Sequence, residues 1–334
     1  MFTVGVYRPQ TLPESFNVCI DNIVQYLPEL GASYFCSGDP AQLSAADVIW
    51  DPRAGGGHAP PKWLTLLEKP LIITLHGVGP LVFPEHYSEG LRHRFEIYKS
   101  NRRKKKAWKA ASGRYSRIVT VSEFSKKVIN DTLNIPSDKI DVILNGVDLS
   151  VFTPPENPAE NTAPYFLHVS NDESRKNVDR IIKAYEKIKA DNKWPLILKL
   201  AGDRTCDVPG VKIINKRLSA EELVALYAGA GAFVFPSVYE GFGIPIIEAM
   251  AMRCPVITSS GTACEEVAAS YATLVDPASV SALSSAMESL MLNPVSEQAI
   301  EAAAKHAGSF SWKETAEQYY RVFLQSAGEG KASK

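Results

Sequence analysis

Two carboxylates eight positions apart, Glu240 and Glu248, stand in the segment VYEGFGIPIIEAMAMRCPVITSS. Gly241 and Gly243 lie between them in a short polar loop, and Pro245 fits the first turn of a following helix, where a missing amide hydrogen costs nothing. The chemistry this permits is the binding of a polyol beside an anion. Backbone amides at a helix start, added to the helix dipole, favour a negatively charged group such as a diphosphate. A carboxylate accepts charge-assisted hydrogen bonds from the vicinal hydroxyls of a ribose, and a hexose offers more of them. With Glu240 in the loop and Glu248 about one turn into the helix, both can face one cleft at different depths. On spacing alone an equally good reading makes Glu240 a solvated loop residue and Glu248 half of a surface ion pair.

The elements that must position these residues follow from the apolar pattern. Short apolar runs bounded by turn residues recur at 2–7, 48–50, 71–75, 118–121 and 141–144, alternating with longer amphipathic stretches. A proline-rich segment, Thr153-Pro154-Pro155-Glu156-Asn157-Pro158, interrupts the pattern and can continue neither helix nor strand. The rhythm restarts at 165–169, 196–201, 211–214, 232–236, 255–258 and 272–275. Runs such as LIITL, RIVTV and LILKL are continuous rather than alternating, as parallel strands covered on both faces by helices must be. The expectation is an α/β protein of two doubly wound, Rossmann-like domains. Ligands of such sheets bind beyond the carboxyl ends of the strands, so the residues just after each run are the ones to inspect.

A chain of 334 residues is long enough for two cores. The net charge of -1 predicts no nucleic-acid partner. Five scattered cysteines, none in a CxxC pair, suggest neither a disulfide framework nor a zinc site but reduced thiols and a cytoplasmic protein. No stretch approaches the roughly 20 apolar residues that span a bilayer, and the N-terminus lacks the pattern of an export signal. Asn130-Asp131-Thr132 fits a glycosylation acceptor only as a chance match. No GxxxxGK[ST] loop occurs, and Gly55-Gly56-Gly57 does not open a helix in dinucleotide-binding form.

The stretch PSVYEGFGIPIIEAMAMRCPVITSS resembles the donor-binding motif of the retaining glycosyltransferases of family 4, which have the GT-B fold. VTVSEFSKKVI, ILNGVDLSVFTP, SRKNVDRIIKAY, LSAEELVALYAGAGAFVFPS and FSWKETAEQY match in the family's order, so the resemblance covers about residues 70–325. It implies two domains facing across a cleft: an acceptor-binding domain at 1–148, a linker at 149–163, a donor-binding domain at 164–311, and a last segment, 312–334, whose helix packs back on the first domain. It implies that Glu240 contacts the hydroxyls of a donor hexose, that Glu248 holds the nucleotide ribose, and that the backbone from Gly241 through Phe242 and Gly243 to Ile244 approaches sugar and phosphates. Arg175 and Lys176 match the family's diphosphate clamp, which neutralises the leaving group. Ser170-Asn171 replaces the family's commoner Gly-Arg pair, so one phosphate ligand is missing or is supplied by Arg175. The nucleobase is expected near Leu218, ahead of the capping-box pair Ser219 and Glu222.

His76, after the run LIITL, falls where the family has a histidine facing the donor sugar, able to donate to a hydroxyl or to shuttle charge near neutral pH. Gly77 stands where an aspartate often follows, which removes one acid/base partner. No DxD triplet occurs, so no cofactor and no metal are expected. The function implied is hexosyl transfer with retention, from a nucleotide-diphosphate sugar such as GDP-mannose to a sugar or lipid-linked saccharide, as in polysaccharide biosynthesis. Two rivals share the fold: a nucleotide-sugar epimerase or glycoside phosphorylase, and a non-catalytic nucleotide-sugar binding protein. Lys99, Arg102, Arg103, Lys104, Lys105, Lys106 and Lys109 form a basic run beside Tyr98 and Trp108. That run is either a solvated helix face or a peripheral contact with an anionic inner membrane surface, where each cation contributes about 1 kcal/mol. Arg8, Arg53 and a flexible loop of Gly55, Gly56, Gly57 and His58 are expected to shape the acceptor site.

Overall fold

All five side chains of Leu71–Leu75 are buried, as a strand covered by helices on both faces requires. The computed structural model describes residues 2–88, 90–155 and 163–332. These fall into two units, Met1–Gly146 with Ser311–Lys334, and Val147–Phe310.

The first unit is a parallel sheet in the order β2-β1-β3-β4-β5-β6, formed by β1 (Phe2–Tyr7), β2 (Ala32–Ser37), β3 (Val48–Ala54), β4 (Leu71–Leu75), β5 (Arg117–Thr120) and β6 (Ile140–Val142). Its helices are α1 (Glu14–Val24), α2 (Pro40–Leu43), α3 (Gly79–Val82), α4 (Gly90–Ala111) and α5 (Glu123–Leu133). The second unit repeats the plan in the order β12-β11-β10-β7-β8-β9, with β7 (Phe166–Asn171), β8 (Leu196–Ala201), β9 (Val211–Ile214), β10 (Ala232–Phe235), β11 (Val256–Ser259) and β12 (Thr273–Val275). Around it lie α6 (Val178–Lys187), α7 (Ala220–Ala228), α8 (Ile244–Ala251), α9 (Ala263–Ala268), α10 (Val280–Leu292) and α11 (Glu297–Ala307). Phe166, Ile181, Leu198, Val234, Ile257 and Met287 meet in its core.

The last helix, α12 (Trp312–Ala332), belongs to the first unit. Tyr319 and Phe323 pack on the fully buried Trp50 at ring separations of 5.0 and 5.7 Å. Thr74 Oγ1 accepts from Trp50 Nε1 at 2.8 Å and lies 2.9 Å from the Tyr319 hydroxyl, so strands β3 and β4 are joined to α12 by a satisfied polar core. Gly146 permits this closure: a Cβ there would stand 2.3 Å from the Trp312 backbone nitrogen.

Two expectations change. Residues 149–155, read as linker, and 147–148, read as the end of the first domain, belong with the second unit, where Val147 N–H donates to the Phe310 carbonyl at 3.0 Å and Phe152 packs edge-on to Tyr227 at 5.9 Å. The remainder of the proline-rich segment, 156–162, lies outside the described residues. The triple-glycine loop, read as flexible, is pinned by the inner face of α4: Gly56 and Gly57 carbonyls accept from Lys104 Nζ at 2.7 Å and Trp108 Nε1 at 3.0 Å. Lys104 is thereby withdrawn from the basic run, and its burial lowers its pKa. Among the described residues no helix is long and apolar enough to cross a membrane.

Candidate functional site

In the second sheet β7 connects outward to β8 and β9, whereas β10 returns to the other side of β7. The strand order therefore reverses between β7 and β10, and a doubly wound sheet leaves a crevice beyond the carboxyl ends at that point. The segments after those two strands carry Arg175 with Lys176 and Glu240 respectively.

The three side chains meet there. Glu240 accepts from Lys176 Nζ at 2.6 Å through Oε1 and from Arg175 Nη1 at 2.9 Å through Oε2. Arg175 also donates to the Tyr239 carbonyl at 3.2 Å and, through Nε, to Glu173 at 2.6 Å. The Val238 amide donates to the Arg175 carbonyl at 2.8 Å, locking the two loops together. Burial alone would raise the Glu240 pKa, but the charges of Lys176 and Arg175 overcome it and hold the carboxyl at about 2. Glu240 is thus no solvated loop residue. With Glu173 counted, two cations meet two carboxylates, and the cluster offers the Arg175 and Lys176 donors beside a permanently ionised Glu240 carboxylate, an arrangement suited to an anion adjoining hydroxyl groups.

The geometry is held from beneath. Lys176 Nζ lies 5.1 Å above the Phe235 ring, and Phe235 stacks on the buried His168 at 5.8 Å. The Val234 carbonyl accepts from His168 Nδ1 at 2.7 Å, and burial pushes the imidazole down to about 4, so a neutral ring supports the cation. Asn177, in the left-handed region at φ 68°, donates to the Pro236 and Pro277 carbonyls at 2.8 and 2.7 Å. That one side chain ties the ends of β10 and β12 to the clamp loop.

Glu248 sits apart from this cluster on α8, whose start is set by Gly243 at φ 118°. A Cβ at Gly243 would be strained in that conformation and would stand 3.0 Å from Ile246 Cδ1. Glu248 forms no ion pair among the described residues; its Oε2 accepts from the Tyr227 hydroxyl at 3.0 Å. Burial pushes its pKa up to about 7, with the tyrosine hydrogen bond opposing. Phe242 is buried against Phe310 at 5.8 Å, which fixes the loop between the two glutamates. Leu218 is partly buried just before α7, where Ser219 and Glu222 form both bonds of a capping box, at 3.2 and 2.9 Å.

His76 belongs to the first unit, at the end of β4. Because the Pro52 carbonyl lies 2.8 Å from Nε2 and can only accept, that nitrogen carries the proton. Packing around the ring, including Phe16 at 4.9 Å, pushes its pKa down to about 4. The expectation that His76 shuttles charge near neutral pH is therefore corrected: the ring is neutral, and its Nδ1 is an acceptor. Among the described residues no group of three or more His, Cys, Asp or Glu side chains is placed to hold a metal ion.

Sequence reasoning missed Tyr227, His168 and Asn177. Tyr227 and His168 stand inside apolar runs that read as core, and only the Glu248 carboxylate of α8 and the Val234 carbonyl of β10 give their polar atoms a purpose.

Residues 152–307 match the family model for glycosyl transferases group 1, and residues 41–151 match that for Glycosyltransferase Family 4. The chain is 34% identical over 214 residues to the O-antigen chain mannosyltransferase RfbU of Salmonella typhimurium, a match covering 61% of this chain and 56% of that protein. It is 30% identical over 229 residues to the O-antigen chain mannosyltransferase B of Escherichia coli, covering 62% and 60%. The matches thus span somewhat more than half the length of these relatives. Sucrose-phosphate synthase from Thermosynechococcus elongatus superposes with a TM-score of 0.76 at 15% identity, covering 97% of this chain and 99% of that one. Anabaena HepE in complex with UDP and glucose gives 0.70 at 15% identity, covering 97% and 100%. With two adjoining family models from residue 41 to 307 and superposition over nearly its whole length, the chain belongs to family 4 of the glycosyltransferases and has the GT-B fold.

Proposed function

We propose that this chain transfers a hexose from a nucleotide-diphosphate sugar to a sugar or lipid-linked saccharide, with retention of configuration and with GDP-mannose as the donor to test first. The observation that carries the reading is the Arg175, Lys176 and Glu240 cluster at the β7/β10 reversal. Lys176 and Arg175 take the diphosphate and stabilise the charge that grows on it as the bond to the sugar breaks. Glu240 receives sugar hydroxyls, Glu248 the ribose, and the backbone of Gly241, Phe242, Gly243 and Ile244 lies along the donor. His76 accepts a hydrogen bond from a hydroxyl through Nδ1. The nucleobase site is proposed near Leu218. With the two cations stabilising the leaving group, the reaction is proposed to need no metal, and turnover is expected to survive EDTA. The mannosyl choice is supported by the names of the relatives.

The test is incubation with a panel of nucleotide sugars, with and without saccharide acceptors, followed by NMR of the product's anomeric configuration. A new glycosidic bond of the donor's configuration is expected. An epimer or a sugar phosphate formed without acceptor would instead identify a rival enzyme, and donor binding without turnover a binding protein.

A contact with anionic lipid is proposed for α4. Lys99, Arg102, Arg103, Lys105, Lys106 and Lys109 are exposed, as are Phe95 and Tyr98, each with about 60% of its surface open. Only Glu96 opposes them on the helix, and it pairs with Arg92. At about 1 kcal/mol per cation, replacing Arg102, Lys106 and Lys109 by glutamine is expected to weaken sedimentation with phosphatidylglycerol vesicles by about 100-fold. Unchanged sedimentation would assign the face to solvent.

A further inference from the structure

The Tyr227 ring is fully buried in α7 between Phe152 and Phe233, edge-on to both at 5.9 and 5.4 Å. Those two rings come from the segment NGVDLSVF and from β10, so the phenol is wedged by elements far apart in the chain. A buried phenol hydroxyl needs a partner, and this one donates to Glu248 Oε2 at 3.0 Å. Among the described residues no side chain or amide donates to the other oxygen, Oε1, and Glu248 is only partly buried. One carboxylate oxygen is fixed by the protein, and the other is left for a ligand.

We propose that Tyr227 is a positioning residue for donor binding, holding Glu248 Oε2 so that Oε1 presents its lone pairs to the vicinal ribose hydroxyls of a nucleoside-diphosphate sugar. This rests on the reading that Glu248 holds the ribose. It gives the segment NGVDLSVF a physical task, because Phe152 fixes the ring that carries the hydroxyl. It also makes donor affinity pH-dependent. The ionised carboxylate accepts both ribose hydroxyls, whereas the protonated acid spends one oxygen as a donor, so affinity rises with pH through the titration of Glu248 at about 7. The groups that face this site are Tyr227 from α7 and, beyond it, the Cys254 thiol, which burial keeps protonated. The charged side chains of the neighbouring α9 and α11, among them Glu265, Glu301 and Lys305, do not contribute to the shift of Glu248. Tyr227 favours the ionised form, so its loss moves the titration to higher pH.

The experiment is calorimetric titration of GDP-mannose and UDP-glucose, whose diphosphates do not ionise between about pH 6 and 9, into the wild-type chain, Tyr227→Phe and Glu248→Gln. For the better-bound donor, Tyr227→Phe is expected to weaken binding about 10-fold at pH 7, the scale of one hydrogen bond to a charged group, and the loss to narrow to about 3-fold at pH 9, where only the misplaced carboxylate still counts. Glu248→Gln, whose amide resembles the protonated acid, is expected to bind nearly as the wild type does at pH 6 and to fall increasingly behind it toward pH 9. Phe152→Leu, which leaves the hydroxyl in place but loosens its ring, is expected to show a smaller loss with the same narrowing, and it carries the test should Tyr227→Phe not fold. A Tyr227→Phe loss that is the same at all pH values or that vanishes by pH 9, or no loss beside a large one in Glu248→Gln at pH 9, overturns the positioning role alone. Unchanged binding in Glu248→Gln at pH 9 overturns the ribose assignment and this proposal with it.

Discussion

Lys176→Ala is expected to lower the rate of sugar transfer about 100- to 1,000-fold at saturating donor, the cost of removing one preorganised donor to a developing charge. Lys176 is preorganised in the sense that matters. Its ammonium is bonded to Glu240 at 2.6 Å and rests over Phe235, itself stacked on a buried, neutral His168, so little reorganisation is needed as charge builds on a diphosphate. Arg175 cannot compensate, because its guanidinium is shared between Glu240 and Glu173. Lys176→Arg should rescue poorly, since a planar fork does not reproduce a compact point charge at the same place. Loss of Lys176 also raises the Glu240 pKa. In the intact protein a carboxyl held at about 2 against an ordinary 4.5 contributes stability that is present above pH 4.5 and is lost as pH falls toward 2. Steady-state rates within threefold of wild type for Lys176→Ala would remove the clamp assignment.

Much of this is written locally. The continuous apolar runs mark the buried strands, and the glycines and Pro245 mark the start of α8, because burial on both faces and helix entry each leave a short-range signature. β2 left none. It is an edge strand on which buried and exposed residues alternate, with Tyr34 in solvent, and it follows a turn-rich stretch around Pro28. The clamp was legible only as separate motifs, since the crevice exists because β10 returns beside β7, and strand order is not written in any one segment. The same holds for Tyr227, an apolar-looking residue of α7 until α8 supplies its acceptor. The triple glycine misled for the opposite reason: glycine allows freedom, but Lys104 and Trp108, about fifty residues away, remove it.

Glu248→Gln should stabilise the protein while weakening donor binding. A carboxyl whose folded pKa is raised from 4.5 to about 7 opposes folding wherever the unfolded chain is ionised. The sign follows from proton uptake: the cost is absent below pH 4.5, grows between 4.5 and 7, and is complete above 7. At about 1.4 kcal/mol per pH unit, and allowing for the part of the side chain still in contact with water, it amounts to about 2 to 3 kcal/mol at pH 8. Glutamine carries no charge and can still accept from Tyr227, so it removes the cost without orphaning the buried phenol. Denaturant unfolding at pH 8 is expected to shift in favour of the variant by that amount, with the difference vanishing at pH 4.5. A variant no more stable than wild type at pH 8 would mean that Glu248 ionises freely in the folded protein. A buried carboxyl that costs stability at neutral pH and improves donor affinity is what a binding group, rather than a structural one, should look like.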